Sequence, residues 1–354
     1  MSATLTQPRS VCRAHVANSP PADWNSWLTA FGYDGFHLRS EWGDVFRQGL
    51  AHRPYYLWTT QDDRITGVLP LMFISGPLFG RFLVSQPYLN TGGILAETPD
   101  AEDALLQTAV KLADQLDVKH LELRHERHID HPALNAASHE KVHMRLSLPD
   151  TPELLWDNLK SKVRSQIRKP LNNSALSVSF GGVEHLSEFY SIFCRNMRDL
   201  GTPPFSKRLF ASMLAQFGSD AEICSIRFND QPIASGFLLH GPGVTLIPSA
   251  SSLREYNNTS CNMLMYWHAL SRAIERRQHT FDFGRSSPNT GTWKFKRQWG
   301  AKESPAAWQY RLRRGTAEDM RPGSGKFDRV IQMWQKLPVW VTRIVGPQIV
   351  RGIP

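Results

Sequence analysis

Alternating hydrophobic and polar positions predict the same β-hairpin twice along the chain. Residues 55–74 hold two strand-like runs separated by a polar turn, and the second run contains an internal glycine. Residues 222–240 repeat this pattern. In each half a helical period follows, at about 101–116 and about 260–277, and then a short strand, at 119–124 and 280–284.

This repeated order of elements predicts a mixed α/β fold made of two similar domains. Hairpin, helix and strand often occur in this order, but the match between the two halves favours a duplication. The join is expected near residues 148–152, where two prolines and an Asp/Thr signal precede a helix. The predicted domains are 1–150 and 151–315. They are followed at 316–354 by a linker, at residues 322–325, and a basic amphipathic tail.

The helix predicted at 153–171 carries two stripes of opposite character. A cationic stripe contains Arg164 and Arg168, and an apolar stripe contains Val163 and Ile167. The apolar stripe is expected to face the core. The cations have two equally weighted interpretations, since they can line a cleft between the domains or form an ordinary solvated face.

The tail also has two interpretations. Residues 327–354 form a basic amphipathic segment with two tryptophans, which is compatible either with packing on the body of the protein or with peripheral contact with a membrane. Pro338 and Pro347 interrupt any long interfacial helix, and this favours packing.

The charge balance predicts anionic partners. The 354 residues include 41 Lys and Arg against 32 Asp and Glu, a net charge of +9. Phosphorylated metabolites, a coenzyme, RNA or a membrane surface would suit such a chain. The four cysteines are widely separated and the histidines match no metal-site spacing, so neither a disulfide framework nor a bound metal is predicted. Without an apolar leader or a membrane-spanning run, a cytoplasmic location is expected, at the inner face of the membrane if the tail binds there.

The strongest candidate site is the segment 281–300. A short apolar strand there runs into a turn rich in Gly, Ser and Pro and then into a cationic helix. Such a junction is where open α/β sheets bind ligands. Arg285, Lys294 and Lys296 favour an anionic substrate over the alternative of a solvated basic helix face.

A second candidate is the start of the helix near residue 260. Free N–H groups at a helix start can hold a phosphate or an oxyanion, and Ser260 and Asn258 are suitable caps. No phosphate-binding P-loop, dinucleotide fingerprint or serine-hydrolase elbow occurs in the sequence, which disfavours nucleotide hydrolysis, dinucleotide redox chemistry and serine hydrolysis.

Several segments resemble FemAB-related proteins, and in particular the branch associated with PEP-CTERM/exosortase exopolysaccharide systems. The resemblance covers nearly the whole chain. In the second half it rests on 164–169, 196–203, 251–257, 281–286 and 294–301, in the first half on 67–71, 79–85 and 87–93, and in the tail on 337–339 and 346–351.

The resemblance implies tandem GNAT-like (acyl-CoA N-acyltransferase) domains and the transfer of an acyl or aminoacyl group to an amine or sugar of a cell-envelope or exopolysaccharide precursor. FemAB proteins proper use aminoacyl-tRNA, but no long charged heptad stretch here matches their helical arm, so tRNA is not favoured. The usual GNAT pyrophosphate loop is also missing before residue 260. We expect an N-acyltransferase with no tightly bound cofactor and with acyl-CoA as the favoured co-substrate. An aminoacyl-tRNA-dependent peptidyltransferase of the FemAB type is the alternative, and a carrier-linked donor is a further one.

Acyl transfer requires a deprotonated nucleophile, a polarised carbonyl and a protonated leaving group. Asp282, Tyr256 and Tyr88 are candidates for handling protons, and Asn262 and the helix start at Ser260 are candidates for polarising the carbonyl. The residues predicted to bind substrate are Arg285, Lys294, Lys296, Arg164, Arg168, Tyr88, Asn90 and Ser260. A non-enzymatic protein that binds an anionic polysaccharide or RNA is the competing class.

Overall fold

Two mixed β-sheets flanked by helices make up the protein, as shown by a computed structural model that describes residues 12–315 and 328–354. The predicted α/β fold class is confirmed. The strands within these residues are β1 (Arg13–Ala17), β2 (Arg53–Gln61), β3 (Arg64–Gly76), β4 (Gly80–Val84), β5 (Leu95–Ala96), β6 (His120–His125), β7 (Ala136–Ser138), β8 (Val142–Ser147), β9 (Leu176–Gly181), β10 (Ala221–Phe228), β11 (Gln231–His240), β12 (Val244–Ser252), β13 (Thr280–Ser286), β14 (Lys302–Pro305) and β15 (Ala307–Leu312).

The helices lie on the faces of the sheets and between them. Within the described ranges they are α1 (Trp24–Ala30), α2 (Trp42–Leu50), α3 (Pro99–Gln115), α4 (Pro152–Asn158), α5 (Ser161–Leu171), α6 (Leu186–Leu200), α7 (Lys207–Phe217), α8 (Cys261–Glu275), α9 (Gly291–Gln298), α10 (Asp328–Lys336) and α11 (Val339–Val350).

The two sheets have the same topology. The first has the order β1-β2-β3-β4-β6-β15-β7, with β5 added to β3, and the second has the order β9-β10-β11-β12-β13-β8-β14. In both, four antiparallel strands are followed by one parallel pair, β4 with β6 or β12 with β13. A helix, α3 or α8, connects the two parallel strands. The repeated hairpin, helix and strand predicted from the sequence are therefore present.

The halves exchange one strand each. The strand β8 precedes residue 150 but pairs with β13 in the second sheet, and β15 follows β13 in the chain but pairs with β6 in the first sheet. The sheets thus do not divide at a single point of the chain. The domain boundaries at 150 and 315 stay predictions.

The prediction of a single helix at 153–171 is wrong, because two helices occupy this segment. Leu159 and Lys160 have extended backbone angles and separate α4 from α5. The bend lets Leu155 and Leu159 join Val163 and Ile167 in the core of the second sheet. The predicted helix start is confirmed, since the Thr151 hydroxyl accepts a hydrogen bond from the Leu154 N–H at 3.3 Å.

A shared hydrophobic core joins the two halves. Phe36, Trp42 and Phe46 of the first half pack with Phe189 and Phe210 of the second. The helices α2 and α7 come very close together, because a Cβ atom at Gly49 would lie only 2.7 Å from the Leu209 Cα. The halves therefore form one packed unit around this contact.

The C-terminal helices α10 and α11 contact α6. The Arg198 guanidinium donates to the Leu337 carbonyl oxygen at 3.1 Å, and Gly346 lies against Pro204. The linker predicted at 322–325 lies outside the described residues. Among the helices that are described, none has both the length and the apolar character needed to cross a membrane.

Candidate functional site

The parallel strands β12 and β13 diverge towards their carboxyl ends. They pair only from Val244 to Leu246, against Thr280 to Asp282. Directly beyond this point the pairing of β12 with β11 shifts its register, and Pro248 has no N–H to donate to a ladder. Because parallel strands that separate leave a crevice at their carboxyl ends, this position is suited to a ligand.

A cavity of about 220 Å³ occupies the crevice. Both halves of the chain contribute to its wall. The first half supplies His37, Tyr88, Leu89 and Asn90, and the second supplies Leu246, Ile247, Pro248, Asp282, Phe283, Gly284, Arg285 and Lys296.

Arg285 is a cation of this cavity that forms no ion pair with an acidic residue among the described residues. Its guanidinium lies 3.3 Å from the ring centroid of Trp308, and its Nε donates to the Asn90 Oδ1 at 3.2 Å. Burial, together with the charge of Arg124, lowers the pKa of Arg285 to about 9. The Glu122 carboxylate raises the pKa of Arg285, but it is itself bound to the Arg124 Nε at 2.6 Å. A partly buried, unpaired cation is costly on its own and is suited to an anionic group of a ligand.

Gly284 allows the two halves to approach each other here. Its φ is +75°, a left-handed conformation that favours glycine. A Cβ atom at this position would lie 2.9 Å from the Asn90 Nδ2. The glycine predicted as part of a turn therefore also makes room for the side chain that holds Arg285.

Asp282 is buried, with 1% of its surface exposed, and both of its carboxylate oxygens have donors. The Gly284 N–H donates to Oδ1 at 2.6 Å, and the Arg145 Nε donates to Oδ2 at 3.1 Å. Arg145 in turn binds both oxygens of Glu126, at 2.6 and 2.7 Å. These bonds fix the turn that presents Arg285, and a role for Asp282 in proton transfer stays a prediction.

Lys296 brings an amine to the same turn from α9. Its Nζ donates to the carbonyl oxygens of Arg285 and Gly284, at 2.9 and 3.3 Å. Burial lowers the pKa of Lys296 to about 8; the Asp282 carboxylate raises it and the Arg285 charge lowers it further. Two hydrogen bonds to carbonyl groups leave one further position on the nitrogen. An amine with this pKa can accept or donate a proton close to neutral pH.

Two residues of the first half complete the polar wall. Tyr88 has a φ of +67°, and its hydroxyl lies 2.8 Å from the His52 Nε2 and donates to the Arg351 carbonyl oxygen at 3.2 Å. Burial raises the pKa of Tyr88, so that the hydroxyl stays protonated. Burial also lowers the pKa of His37 to about 4, which makes its imidazole neutral at physiological pH.

The structure brings together five of the predicted site residues and not the other six. Tyr88, Asn90, Asp282, Arg285 and Lys296 line the cavity. The other six, none of which lines it, are Tyr256, Asn262, Ser260, Lys294, Arg164 and Arg168. Their roles remain predictions, because nothing in the structure tests them.

The contacts of these six show what each side chain does in the folded protein. The Tyr256 hydroxyl donates to the Gln231 Oε1 at 2.9 Å, and the Arg164 Nη1 donates to the Asp157 carbonyl oxygen at 3.3 Å. Arg168 lies over Trp156 at 5.4 Å, Lys294 is exposed and Asn262 is half-buried. These positions give none of them a place in the cavity wall.

The prediction that the Ser260 or Asn258 side chain caps α8 is wrong. Ser260 is the residue before the helix, but its φ is +58° and its side chain makes no capping bond. The Thr259 hydroxyl accepts from the Cys261 N–H at 3.3 Å instead, and the Ser260 carbonyl oxygen accepts from the N–H groups of Met263 and Leu264. Most of the first N–H groups of α8 are therefore already bonded.

Two residues at the cavity, Trp308 and His37, are not predicted by the sequence. Trp308 lies between the guanidinium groups of Arg285 and Arg124, the latter at 3.9 Å, and its Nε1 donates to the Asn90 carbonyl oxygen at 3.0 Å. It reaches this place because β15 joins the first sheet. No local pattern marks such a residue, since its partners are far away in the chain.

The equivalent crevice in the first sheet is filled by the protein itself. The strands β4 and β6 also pair over only three residues, from Phe82 to Val84. Beyond them the buried Arg124 donates to the carbonyl oxygens of Leu89 and Gln86, at 2.7 and 3.4 Å. The loop 85–93 is thereby held in the first crevice and forms part of the wall of the second.

Comparison with known proteins agrees with this asymmetry between the halves. A family profile described as Acetyltransferase (GNAT) domain matches residues 158–297, which contain β12, β13, α8 and all but the last residue of α9. The match covers the crevice of the second sheet. A comparison with curated protein sequences finds no match.

Several solved structures share the fold at low sequence identity. The crystal structure of FemX is 15% identical with a TM-score of 0.63, over 80% of this chain and 95% of that one. L-PGS from Bacillus licheniformis is 12% identical with a TM-score of 0.57, over 93% and 98%. A tandem GNAT protein from the clavulanic acid biosynthesis pathway is 12% identical with a TM-score of 0.53, over 85% and 97%.

These likenesses confirm the predicted tandem GNAT-like fold. The profile match also confirms the predicted class of enzyme, an N-acyltransferase. Residues 158–297, which include the crevice between β12 and β13, are thus similar to an acetyltransferase (GNAT) domain.

Proposed function

We propose that the protein transfers an acyl group from acyl-CoA to an amine or sugar of a cell-envelope or exopolysaccharide precursor, and that it does so in the cavity between β12 and β13. The observation that carries this proposal is the position of the unpaired Arg285 in the crevice of the GNAT domain. The assignment to the PEP-CTERM/exosortase branch and the cytoplasmic location are parts of the same proposal.

Acyl-CoA is the favoured donor because GNAT domains use it as co-substrate. In this proposal its thioester enters the crevice and its phosphates lie towards the start of α8. The bonded N–H groups of α8 make the helix itself a poor phosphate site. Lys169, whose Nζ donates to the Asn258 carbonyl oxygen at 2.7 Å, and the exposed Arg254 would supply charge at that end instead.

In the reaction, the acceptor nitrogen or oxygen attacks the thioester carbonyl carbon, and the new bond to carbon forms as the carbon–sulfur bond breaks. The nucleophile loses one proton and the thiolate leaving group gains one, so that the step balances. Lys296 has the most suitable pKa in the cavity for accepting that proton, since a base works best when its pKa is near the working pH. His37, with a pKa of about 4, is a much weaker base.

Arg285 is proposed to bind a phosphate or carboxylate of the acceptor. Its planar guanidinium can hold two oxygens of such a group while Trp308 and Asn90 keep it in place. Removing water from this contact would strengthen it. An acceptor that carries an anionic group near the reacting amine or hydroxyl is therefore expected.

A second candidate function is transfer of an aminoacyl group from aminoacyl-tRNA. The fold shared with FemX favours it, as do the exposed cations of α5, where Lys162, Arg168 and Lys169 face solvent. A tRNA would contact many phosphates, and its affinity would fall steeply with salt. A small thioester donor would show a shallow dependence.

Titration of the purified protein with acetyl-CoA and with charged tRNA at several salt concentrations tests the donor. We expect saturable acetyl-CoA binding with a shallow salt dependence. Salt-steep binding of aminoacyl-tRNA without a response to acetyl-CoA would establish the second candidate instead. Binding of neither would favour a carrier-linked donor or the non-enzymatic class, and mass spectrometry of small molecules retained by the native protein would distinguish these two.

A further inference from the structure

The outer faces of the C-terminal helices are strongly apolar. Met333 on α10 and Trp340 and Ile344 on α11 expose 70%, 66% and 65% of their surfaces, and Val330 and Val345 are exposed beside them. Trp340 and Ile344 are four residues apart and share one side of α11. Isolated apolar residues at a surface need no explanation, but a concentration of this kind marks an interaction surface.

The tip of the β3–β4 hairpin extends this surface. A Cβ atom at Gly352 would lie 3.0 Å from the Phe79 ring, so that the end of the tail lies against the hairpin. Leu78, at the tip, is 74% exposed, and Ile353 is exposed at the end of the tail. We call the exposed side chains of α10, α11, Ile353 and Leu78 the apolar face.

The segment that carries most of the apolar face is basic. From residue 329 to 354 the sequence has four cations, Arg329, Lys336, Arg343 and Arg351, and no Asp or Glu. Lys336, Arg343 and Arg351 are all exposed, and Arg343 also lies 5.1 Å from the Tyr190 ring of the body. A protein partner with an acidic rim would match this charge in part. A lipid surface matches both an exposed tryptophan and flanking cations.

We propose that the apolar face docks on an anionic lipid bilayer. In this arrangement the inner sides of α10 and α11 stay packed on α6 while Trp340, Ile344 and Leu78 enter the interfacial layer of the lipid. Each exposed cation adds an attraction to anionic headgroups. The two prolines that prevent one long helix do not oppose docking, because two short helices and a hairpin tip present the apolar side chains together.

The docking surface is connected to the cavity by one residue. Tyr88 lines the cavity, and its hydroxyl donates to the carbonyl oxygen of Arg351, next to the residues that contact the hairpin. A bilayer bound at the apolar face would therefore lie beside one wall of the cavity. This geometry suits an acceptor that is presented at a membrane, but docking itself does not depend on the proposed function.

Co-sedimentation of the full chain with vesicles tests the proposal. The wild type should bind vesicles of phosphatidylcholine mixed with phosphatidylglycerol, bind less as salt increases, and bind vesicles of phosphatidylcholine alone at least about tenfold more weakly. The double variant Trp340→Ser/Ile344→Ser should lose about tenfold or more in partitioning. Lys336→Gln/Arg351→Gln should weaken binding to the anionic vesicles only.

Matched variants elsewhere on the surface serve as controls. Leu154→Ser replaces an apolar side chain that is 50% exposed, and Lys160→Gln/Lys162→Gln removes two exposed cations from the segment around α5. Both should bind vesicles like the wild type. Equal weakening by the controls, or no binding of the wild type to anionic vesicles, would overturn the proposal. A dimer in light scattering that Trp340→Ser/Ile344→Ser dissociates, without any vesicle binding, would assign the face to a second copy and overturn it as well.

Discussion

Arg285 and Trp308 make the closest cation–ring contact described in the protein, 3.3 Å from guanidinium carbon to ring centroid, although the two residues belong to different sheets. Arg285 is on β13 and Trp308 is on β15, the strand that returns to the first sheet. The contact therefore depends on the strand exchange. It places a cation in the cavity without a carboxylate beside it.

Replacement of this cation should affect binding far more than stability. Arg285→Ala should lower the affinity for an anionic ligand by about 2–5 kcal/mol, since a buried charged contact is lost. The melting temperature should change little, because an unpaired and desolvated cation contributes little to folding. Calorimetric titration and thermal unfolding measure the two effects.

Lys294→Ala is the control for this variant, since Lys294 is an exposed cation of the same segment. It should bind and unfold like the wild type. Normal binding by Arg285→Ala would show that Arg285 is not part of the site. Loss of the fold in Arg285→Ala would show a scaffolding role instead.

The turn before Arg285 should be intolerant of a side chain. Gly284→Ala introduces a Cβ atom at a φ of +75° and 2.9 Å from the Asn90 amide, and we expect it to cost about 1–2 kcal/mol of unfolding free energy. Displacement of Asn90 should also reduce activity. Gly291→Ala provides the comparison, because nothing lies within 4 Å of its Cβ position, and it should be neutral or stabilising in urea unfolding. Equal changes in unfolding free energy for Gly284→Ala and Gly291→Ala would show that the left-handed backbone and the contact with Asn90 do not restrict position 284.

Lys296 should give the stability a characteristic pH dependence. Burial lowers the pKa of the folded-state amine from 10.5 to about 8, so the unfolded chain binds more protons than the folded one between these values. The free-energy cost of burying the protonated amine destabilises the folded state fully below pH 8, and this cost is relieved as the pH rises towards 10.5. Relative to Lys296→Met, the wild type should gain on the order of 2–3 kcal/mol across this window. Unfolding of both proteins at several pH values checks the slope, and parallel curves would contradict the shifted pKa.

The same group should shape the rate profile if it accepts the proton of the nucleophile. The value of kcat/KM should rise with pH, reach about half of its maximum near pH 8 and level off above that pH. Lys296→Met should lose this rise while retaining donor binding. A rise that persists in the variant would assign the base to another residue, such as His37.

Glu222 should contribute to stability away from the cavity. It accepts hydrogen bonds from the Arg272 Nε at 2.9 Å and lies 2.9 Å from the His240 Nε2. Burial raises the pKa of Glu222, but the bonds to His240 and Arg272 outweigh it and lower the value to about 2. A lowered carboxylate pKa stabilises above the ordinary value of 4.5, and this contribution is lost as the pH falls from 4.5 to about 2.

Glu222→Gln should therefore cost about 1.5–3 kcal/mol at neutral pH, in the range for hydrogen bonds to a charged group. The difference from wild type should shrink as the medium is acidified. Glu255→Gln removes the carboxylate of an exposed ion pair with Arg195 and should cost less than about 1 kcal/mol. Denaturant unfolding at neutral and acid pH compares the two, and a constant difference for Glu222→Gln would rule out the titration.

The repeated elements were predictable because they are local. The hairpins, α3, α8 and the strands after them each have a period or a turn that a short window of sequence contains. The cavity was predictable in part, because Asp282, Arg285 and Lys296 lie within one segment after a strand. Tyr88 and Asn90 were selected from the resemblance of 87–93 to a family, and no local pattern distinguishes them.

The remaining features depend on contacts between distant residues. The break between α4 and α5 falls at Leu159 and Lys160, where no Gly or Pro marks it in the sequence. The break instead accompanies the burial of Leu159 in the core of the second sheet. The positions of Trp308 and His37 follow from the strand exchange and the shared core. Ser260 was a reasonable cap by residue type, but its left-handed backbone excludes the usual capping geometry.

The exchange of β8 and β15 has a consequence for how the protein is made. During synthesis β8 emerges long before β13, its partner in the second sheet. In the first sheet β6 pairs with β4 on one side, but its other side has no partner strand until residues 307–312 have been translated. The open edge of β6 leaves backbone groups that can pair with another chain. A fragment that ends at residue 150 is thus expected to aggregate or to swap strands, and each half is expected to complete its fold only in the presence of the other.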